Sequence, residues 1–562
     1  MNKIVLAVYF LGVSVLAFSQ PAEKPAFTHA DTLRGSNTPE RTWWNVLHYA
    51  ISVKPDFETK SIKGKTTIGF RVENKNHPSS MQIDLQQPLE IDSILFNGKQ
   101  SLKYKREGNV FHVTVPKKIA EAENIITVYY HGKPRQAIRP PWDGGWIWTK
   151  DSLGRPWMSV ACEGLGASVW YPCKDILSDE PDRGATLTII VPDTLVAVGN
   201  GRLKEMNSKA GLSTYVWEVT SPINNYNIIP YIGKYVGWND TIMGEKGKLD
   251  LAFWALDYDL KKAEQQFQQA KSVIHCMEYW MGPYPFYEDG YKLIEAPHLG
   301  MEHQSAVAYG NKFRNGYLGR DLSGSGWGLK WDFIIEHESA HEWFGNSITA
   351  KDIADMWIHE GFTSYSETLY TECLFGKEAG NEYNVGVRKA IENKNPVIGY
   401  YGVNYESPST DMYYKGSNML QTIRHVINND SLWRSILRGL SATFYHQTVT
   451  TKQIEDFINE KSGINFSKVF DQYLRNTSIP EFQYYYSRDK MKVYFRWANT
   501  VDGFSMPLHL HHAIENVTIY PETQWKEIQL ENNNGGFIDS AFLLKNYYIK
   551  VKQTAAPSEN KE

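Results

Sequence analysis

The sequence predicts a multidomain α+β protein: an N-terminal antiparallel β domain, a mainly helical middle and a small C-terminal β domain. Three observations carry this. From about Asn45 short apolar runs alternate with period two; near Leu256 the period changes to that of a helix; from Tyr484 the two-residue period returns. At 562 residues the chain is too long for one compact core, so three or four packed units are expected.

The first region contains runs such as Lys65 to Val72, Asn109 to Val115, Asn124 to Tyr130, Ala185 to Val191 and Leu195 to Asn200, broken by turn signals like Asn97-Gly98. The helical region begins with Asp257 to Trp280, which stops at Gly282-Pro283, and one more strand-like run, Tyr291 to Ala296, interrupts it. Helices then dominate to about Leu474. Strand-like runs follow at Lys492 to Arg496, Val517 to Tyr520 and Tyr547 to Val551. The division expected is 1–19 signal peptide, 20–44 loosely ordered leader, 45–250 N-terminal β domain, 251–483 helical domain, 484–554 C-terminal β domain and 555–562 tail.

A net charge of −4 with both signs interspersed gives no reason to expect nucleic acid or an anionic membrane as partner. Lys3, the apolar stretch Ile4 to Phe18 and the small-residue pattern Ala17-Phe18-Ser19 read as an export signal, hence a periplasmic or secreted protein without a transmembrane anchor. Export permits disulfides. Cys162 with Cys173 is the plausible local pair, buried free thiols are the alternative, and Cys276 and Cys373 remain open.

The chemistry concentrates in Glu336-His337-Glu338-Ser339-Ala340-His341-Glu342. In a helix, His337 and His341 share one face and can reach one metal ion, with Glu338 placed to act as general base. The alternative is an exposed, salt-bridged helix. Against it, the flanking sequence is strongly apolar, and a buried helix does not carry two His and three Glu without partners. Glu360, eighteen intervening residues after His341, can supply a third ligand from a returning helix. Glu367, seven residues further on the same face, is a candidate to hold a ligand imidazole, and His359 is a second candidate for that role or a competing ligand.

At these residues the chain resembles the gluzincin zinc aminopeptidases, the aminopeptidase N and leukotriene hydrolase family: HExxH, eighteen residues to the ligand Glu, Trp357 before it and Gly361-Phe362 after it. The resemblance implies a thermolysin-like catalytic domain in the helical region and one Zn2+ per chain, held by His337, His341 and Glu360. Gly300-Met301-Glu302 resembles the family's exopeptidase signature, whose Glu grips the substrate α-amine. Tyr413-Tyr414-Lys415-Gly416 resembles its YxKG motif, which gives Tyr413 the role of oxyanion donor. Glu163, nine residues before Pro172, falls where the family has a second amine contact.

There are departures. Leu299 stands where the family motif has Gly, with consequences for the first side-chain pocket, His303 replaces an Asn, and His359 replaces another. The long helical C-terminal domain of many relatives has no counterpart after about Val551. His509, His511 and His512 read as surface or interface histidines rather than a second metal site, since no matching carboxylate or thiolate is nearby.

The function expected is zinc-dependent removal of N-terminal residues from peptides with a free α-amine. A zinc endopeptidase or an epoxide hydrolase on the same scaffold, and a non-catalytic peptide-binding protein, are the alternatives. Neither residue preference nor oligomeric state can be read from the sequence.

Overall fold

The computed structural model describes residues 25–404, 410–511, 516–530 and 537–556. The export-signal stretch 1–19, His512 and the far end of the tail lie outside these residues. Among the described residues no helix is long and apolar enough to cross a membrane.

Period-two patterning in the first region has the expected physical outcome. In the strand Asn124–Gly132, Ile126, Val128 and Tyr130 are fully buried while Ile125 and Tyr129 are 40% and 37% exposed. Eight strands form one sheet, ordered Arg202–Lys209, Leu212–Val219, Ala185–Pro192, Trp44–Asp56, Ser61–Val72, Asn124–Gly132, Glu90–Phe96 and Gln100–Ser101. It is antiparallel except where Trp44–Asp56 runs parallel to Ala185–Pro192, a pairing between distant segments that local alternation cannot reveal. Asn97 and Gly98, both with positive φ, make the tight turn between the last two strands.

The expected loose leader is ordered from residue 25. Helix His29–Gly35 starts with a reciprocal capping box between Thr28 and Asp31, and the Asn404 N–H donates to the Asp31 carbonyl at 3.0 Å. Arg41 is fully buried on Asp84 at 2.7 Å. A lone buried guanidinium would be costly, and this pairing anchors the segment.

A five-stranded sheet joins the two large units, ordered Tyr235–Gly244, Gly247–Leu256, Tyr291–Glu295, Val307–Tyr309 and Gly300–Met301. The hairpin of its first two strands spans the boundary expected at residue 250, so this sheet begins at Tyr235. Its side chains alternate between two cores: Leu293, Val307 and Tyr309 enter the helical core, while Ile294, Met301 and Ala308 enter the β-rich one. The strand Tyr291–Glu295 is therefore buried on both faces. Gly300–Met301 is the edge strand.

Helices Gln269–Met281, Phe333–Ala340, Trp357–Phe375 and Asp411–Ile427 pack into the helical core, which also takes in the C-terminal strands through residues such as Phe482, Trp497 and Tyr547. That C-terminal unit holds a four-stranded sheet and the helix Ser540–Asn546, where the sequence reading expected strands only. The disulfide joins Cys276 to Cys373 across two helices, and Cys162 and Cys173 are buried free thiols. Of the two readings the sequence left for Cys162 and Cys173, the free thiols are found and the local pair is not formed: Cys162 Sγ turns to the Tyr226 carbonyl.

Candidate active site

The helix Phe333–Ala340 begins at Asp332, whose carboxylate accepts from the Ile334 and Ile335 N–H groups, and ends at His341. Every residue of it is buried. Two of the three glutamates of this stretch have one oxygen engaged by the protein itself: Glu336 accepts from the Ser366 hydroxyl at 2.8 Å, and Glu342 from the Ser305 N–H at 2.8 Å. Glu338 instead lines a cavity of about 630 Å3 together with His337, His341 and Glu360.

Helix Trp357–Phe375 returns past the histidine helix and brings two carboxylates to it. Glu367 Oε1 lies 2.9 Å from His337 Nδ1, and the Tyr383 hydroxyl donates to Glu367 Oε2 at 2.7 Å. His341 Nδ1 is 2.9 Å from the Phe344 carbonyl and 3.1 Å from the Thr363 hydroxyl. With both Nδ1 atoms engaged, both Nε2 atoms turn to Glu360 Oε2, each at 3.5 Å. That oxygen is buried and accepts no hydrogen bond.

The donor set fits a divalent cation. One atom each from His337, His341 and Glu360 lie within 4.8 Å of one another, and two imidazoles with one carboxylate match zinc chemistry. The electrostatics ask for positive charge. Burial alone pulls the His337 imidazole down, yet Glu360 and Glu367 outweigh it and hold its pKa well above the ordinary value. Burial likewise pushes Glu360 up, but the two histidines win and hold it well below the usual carboxylate range. His359 is not part of this group. Its Nε2 accepts from the Ala350 N–H at 2.8 Å, and burial pushes it down to about 3. It supports the strand Ile348–Ala350 rather than the ligands.

Helix Asp411–Ile427 crosses the Trp357–Phe375 helix at two glycines. A Cβ on Gly416 would lie 2.9 Å from Gly361 Cα, so only hydrogen at both positions allows this approach. The crossing puts Tyr413 in the cavity, its ring centroid 6.2 Å from that of His337. Burial, then the surrounding carboxylates led by Glu360, keep the Tyr413 phenol well above its ordinary pKa and therefore protonated. Tyr414 also lines the cavity.

The opposite wall is the edge strand Gly300–Met301 and its continuation. Glu302 is 3% exposed, and one atom each from Glu302, Glu338 and His341 again lie within 4.8 Å. The Tyr226 hydroxyl donates to Glu302 Oε1 at 2.7 Å, and the Asn346 side chain donates to the Glu302 carbonyl at 2.7 Å. A Cβ on Gly300 would come within 2.5 Å of Glu338 Oε1, so glycine is needed where the strand passes the candidate base. Glu163 reaches the same cavity from the β-rich region, and Leu299 and Met301 contribute apolar wall. His303 does not enter it. The Tyr231 hydroxyl donates to the Ala306 carbonyl at 2.7 Å, so His303 Nδ1–H donates to the Tyr231 oxygen at 2.5 Å.

Tyr226, Asn346 and Tyr383 were not identified from the sequence. Each acts from another element, 16 to 76 residues away, on a partner already singled out, and no local spacing marks them. His509 is engaged with Thr518 and with the Val426 carbonyl.

A Peptidase M1 N-terminal domain matches residues 45–226 and a Peptidase family M1 domain matches residues 265–473. Leukotriene A-4 hydrolase of Xenopus laevis is 21% identical over 75% of this chain and 68% of its own length. Leucine aminopeptidase 2 of Neurospora crassa is 23% identical over 66% of this chain. The chain spans 53% of the length of the latter and 47% of Aminopeptidase 2 of Candida albicans. Among solved structures, an M1 zinc metallopeptidase mutant from Deinococcus radiodurans superposes with a TM-score of 0.63 at 19% identity, covering 77% of this chain and 95% of that one. A two-domain M1 zinc metallopeptidase bound to L-tryptophan gives 0.62 at 20%, covering 75% and 91%. With the two family models together matching more than half of the chain and the histidine–glutamate cluster lying inside the second of them, this chain belongs to peptidase family M1.

Proposed function

We propose that this protein is a zinc-dependent aminopeptidase that removes the N-terminal residue from peptides with a free α-amine. The observation carrying this reading is the buried Glu302 carboxylate, held by Tyr226 beside both Glu338 and His341. A carboxylate fixed there pairs with an ammonium and admits only the first peptide bond to the metal side. An N-blocked substrate would bring no cation to that buried carboxylate and would lose the charge-assisted hydrogen bond, at a cost of about 1–3 kcal/mol. Relatives named aminopeptidases support the same reading.

His337, His341 and Glu360 would hold the zinc ion, which supplies Lewis acidity that polarises a carbonyl and makes water a better nucleophile. Glu338, pushed up to about 7 by burial against the pull of both histidines, is poised to take the proton of the attacking water and return it to the leaving amine. Tyr413 donates its phenolic hydrogen to the developing oxyanion. Glu302, with Glu163 across the cavity, orients the ammonium. Residues 45–234 form the β-rich unit in this reading and 235–483 the catalytic one, and the apolar stretch Ile4 to Phe18 supports export.

Hydrolysis of free and N-acetylated aminoacyl anilides, with and without a chelator, tests the proposal. Cleavage of the free amine alone, abolished by chelation and lowered about 10²–10⁴-fold in kcat by Glu338→Gln, is expected. Equal cleavage of both substrates would favour an endopeptidase. Anilide turnover that survives chelation would overturn the metal reading. The similarity to leukotriene A-4 hydrolase makes epoxide hydrolysis the remaining activity to assay.

A further inference from the structure

A second cavity, about 690 Å3, adjoins the catalytic cleft and shares two of its walls, Leu299 and Trp142. Trp142 is 70% exposed at the junction. The floor includes Pro297 and His298, the residues leading into the edge strand, and Trp157 and Phe313 add aromatic wall. Three lysines, Lys150, Lys262 and Lys312, stand around it.

Its charges do not cancel. Asp151 accepts from Arg155 Nε at 2.7 Å and from two backbone N–H groups, while the same guanidinium also bridges to Asp257, so Asp151 is turned away from the cavity's lysines into that cluster. Asp259 is paired with Lys262 at 2.6 Å. Glu295 accepts from the Leu256 N–H at 2.8 Å, and burial pushes it up to about 8, so it is mostly protonated at neutral pH. Lys150 and Lys312 form no ion pair among the described residues, and with Glu295 protonated the lining carries three lysines against two carboxylates.

The strand geometry connects this cavity to the cleft. Gly300–Met301 pairs with Val307–Tyr309 on one side only and ends its sheet. A peptide whose amine sits at Glu302, laid antiparallel along the open edge, runs back past Met301, Gly300 and Leu299 at about 3.4 Å per residue. About the third residue then lies beside Leu299, at the mouth of the second cavity.

We infer that this second cavity receives the carboxyl-terminal part of short peptide substrates, of about three to five residues, with Lys150 and Lys312 attracting the free terminal carboxylate. The inference rests on the aminopeptidase reading and deepens it, from any free-amine peptide to short peptides free at both ends.

The test compares Leu-Gly-Gly-Gly as free acid, the same peptide as C-terminal amide, and leucine 4-nitroanilide, which has nothing to place in the cavity. For the native protein kcat/KM should favour the acid over the amide by roughly threefold to tenfold, less at high salt, as for partly exposed charge pairs. In the Lys150→Gln/Lys312→Gln double variant that ratio should fall to about one, with amide and anilide turnover unchanged. A native ratio near one, or a ratio that survives the double substitution, overturns the inference. Equilibrium binding of acid and amide to the Glu338→Gln protein repeats the comparison without turnover. Absence of anilide hydrolysis would thus count against the peptidase reading, while the binding ratio still decides the cavity.

Discussion

The metal side of the cleft is carried by two helices, and its groups sit at helical intervals: His337 and His341 four apart, Glu360 and Glu367 seven apart. The side proposed to take the substrate amine is carried by a two-residue edge strand, the turn after it and a loop of the β-rich region, and Glu302 is held by Tyr226 and Asn346 from elsewhere in the chain. One side is built from spacing within elements, the other from contacts between them. The two sides should therefore fail differently when perturbed.

Apart from loss of the base itself, the largest effect is expected where they touch. Gly300→Ala adds a methyl 2.5 Å from Glu338 Oε1, also facing Ile334 Cγ2 at 2.8 Å, so either the strand or the base must shift. A displacement of about 1 Å at a reacting group costs on the order of 10²-fold. We expect kcat/KM to fall by about that factor while zinc content, measured by atomic absorption, stays at one per chain. Loss of metal, or turnover within about twofold of native, would show that the two sides are not in contact through this glycine.

Next come substitutions that separate the sides. Glu367→Gln weakens the acceptor at His337 Nδ1 and should cost about 10–100-fold in zinc affinity by chelator competition, with activity restored by added zinc and the preference for free over acetylated amines intact. Glu302→Gln should do the reverse: zinc affinity is retained, KM for free-amine substrates rises and the preference shrinks. If both variants lose both properties together, the cleft is one cooperative unit and the division drawn above is wrong.

This division also explains what the sequence exposed. The groups on the histidine helix and its neighbour were legible because an α-helix repeats every 3.6 residues and the side chains must share a face. Tyr413 was reached through Lys415-Gly416, and the physical meaning of that glycine emerges only at its contact with Gly361. Tyr226, Asn346 and Tyr383 were not legible, because a hydroxyl or amide that serves a carboxylate or carbonyl on another element has no period. For the same reason the Cys276–Cys373 bridge, 97 residues apart, was not singled out from the pairings left open. The leader looked loose because its polar composition hides a capped turn and one buried arginine whose partner, Asp84, lies far along the chain.

The smallest expected effect lies beyond both sides, at Glu295 under the second cavity. Its folded-state pKa of about 8 stands above the ordinary 4.5, raised first by burial and then by Asp259, with Lys262 opposing. Below pH 4.5 the group is protonated in folded and unfolded chains alike, and its contribution to stability is fully present. Between 4.5 and 8 the unfolded chain releases the proton and the folded chain keeps it, so stability drains away as pH rises through that window. Glu295→Gln keeps an acceptor for the Leu256 N–H and a donor toward Asp259 but cannot ionise. Melting curves of chelated native and variant protein at pH 5 and pH 8 should therefore diverge, the variant gaining about 2 °C or more relative to native at the higher pH. Chelation makes the metal ligands' own titration common to both proteins, so parallel curves would mean that Glu295 ionises freely in the folded state. The lining of the second cavity would then hold as many carboxylates as lysines at neutral pH, and the preference for a terminal carboxylate should weaken with it.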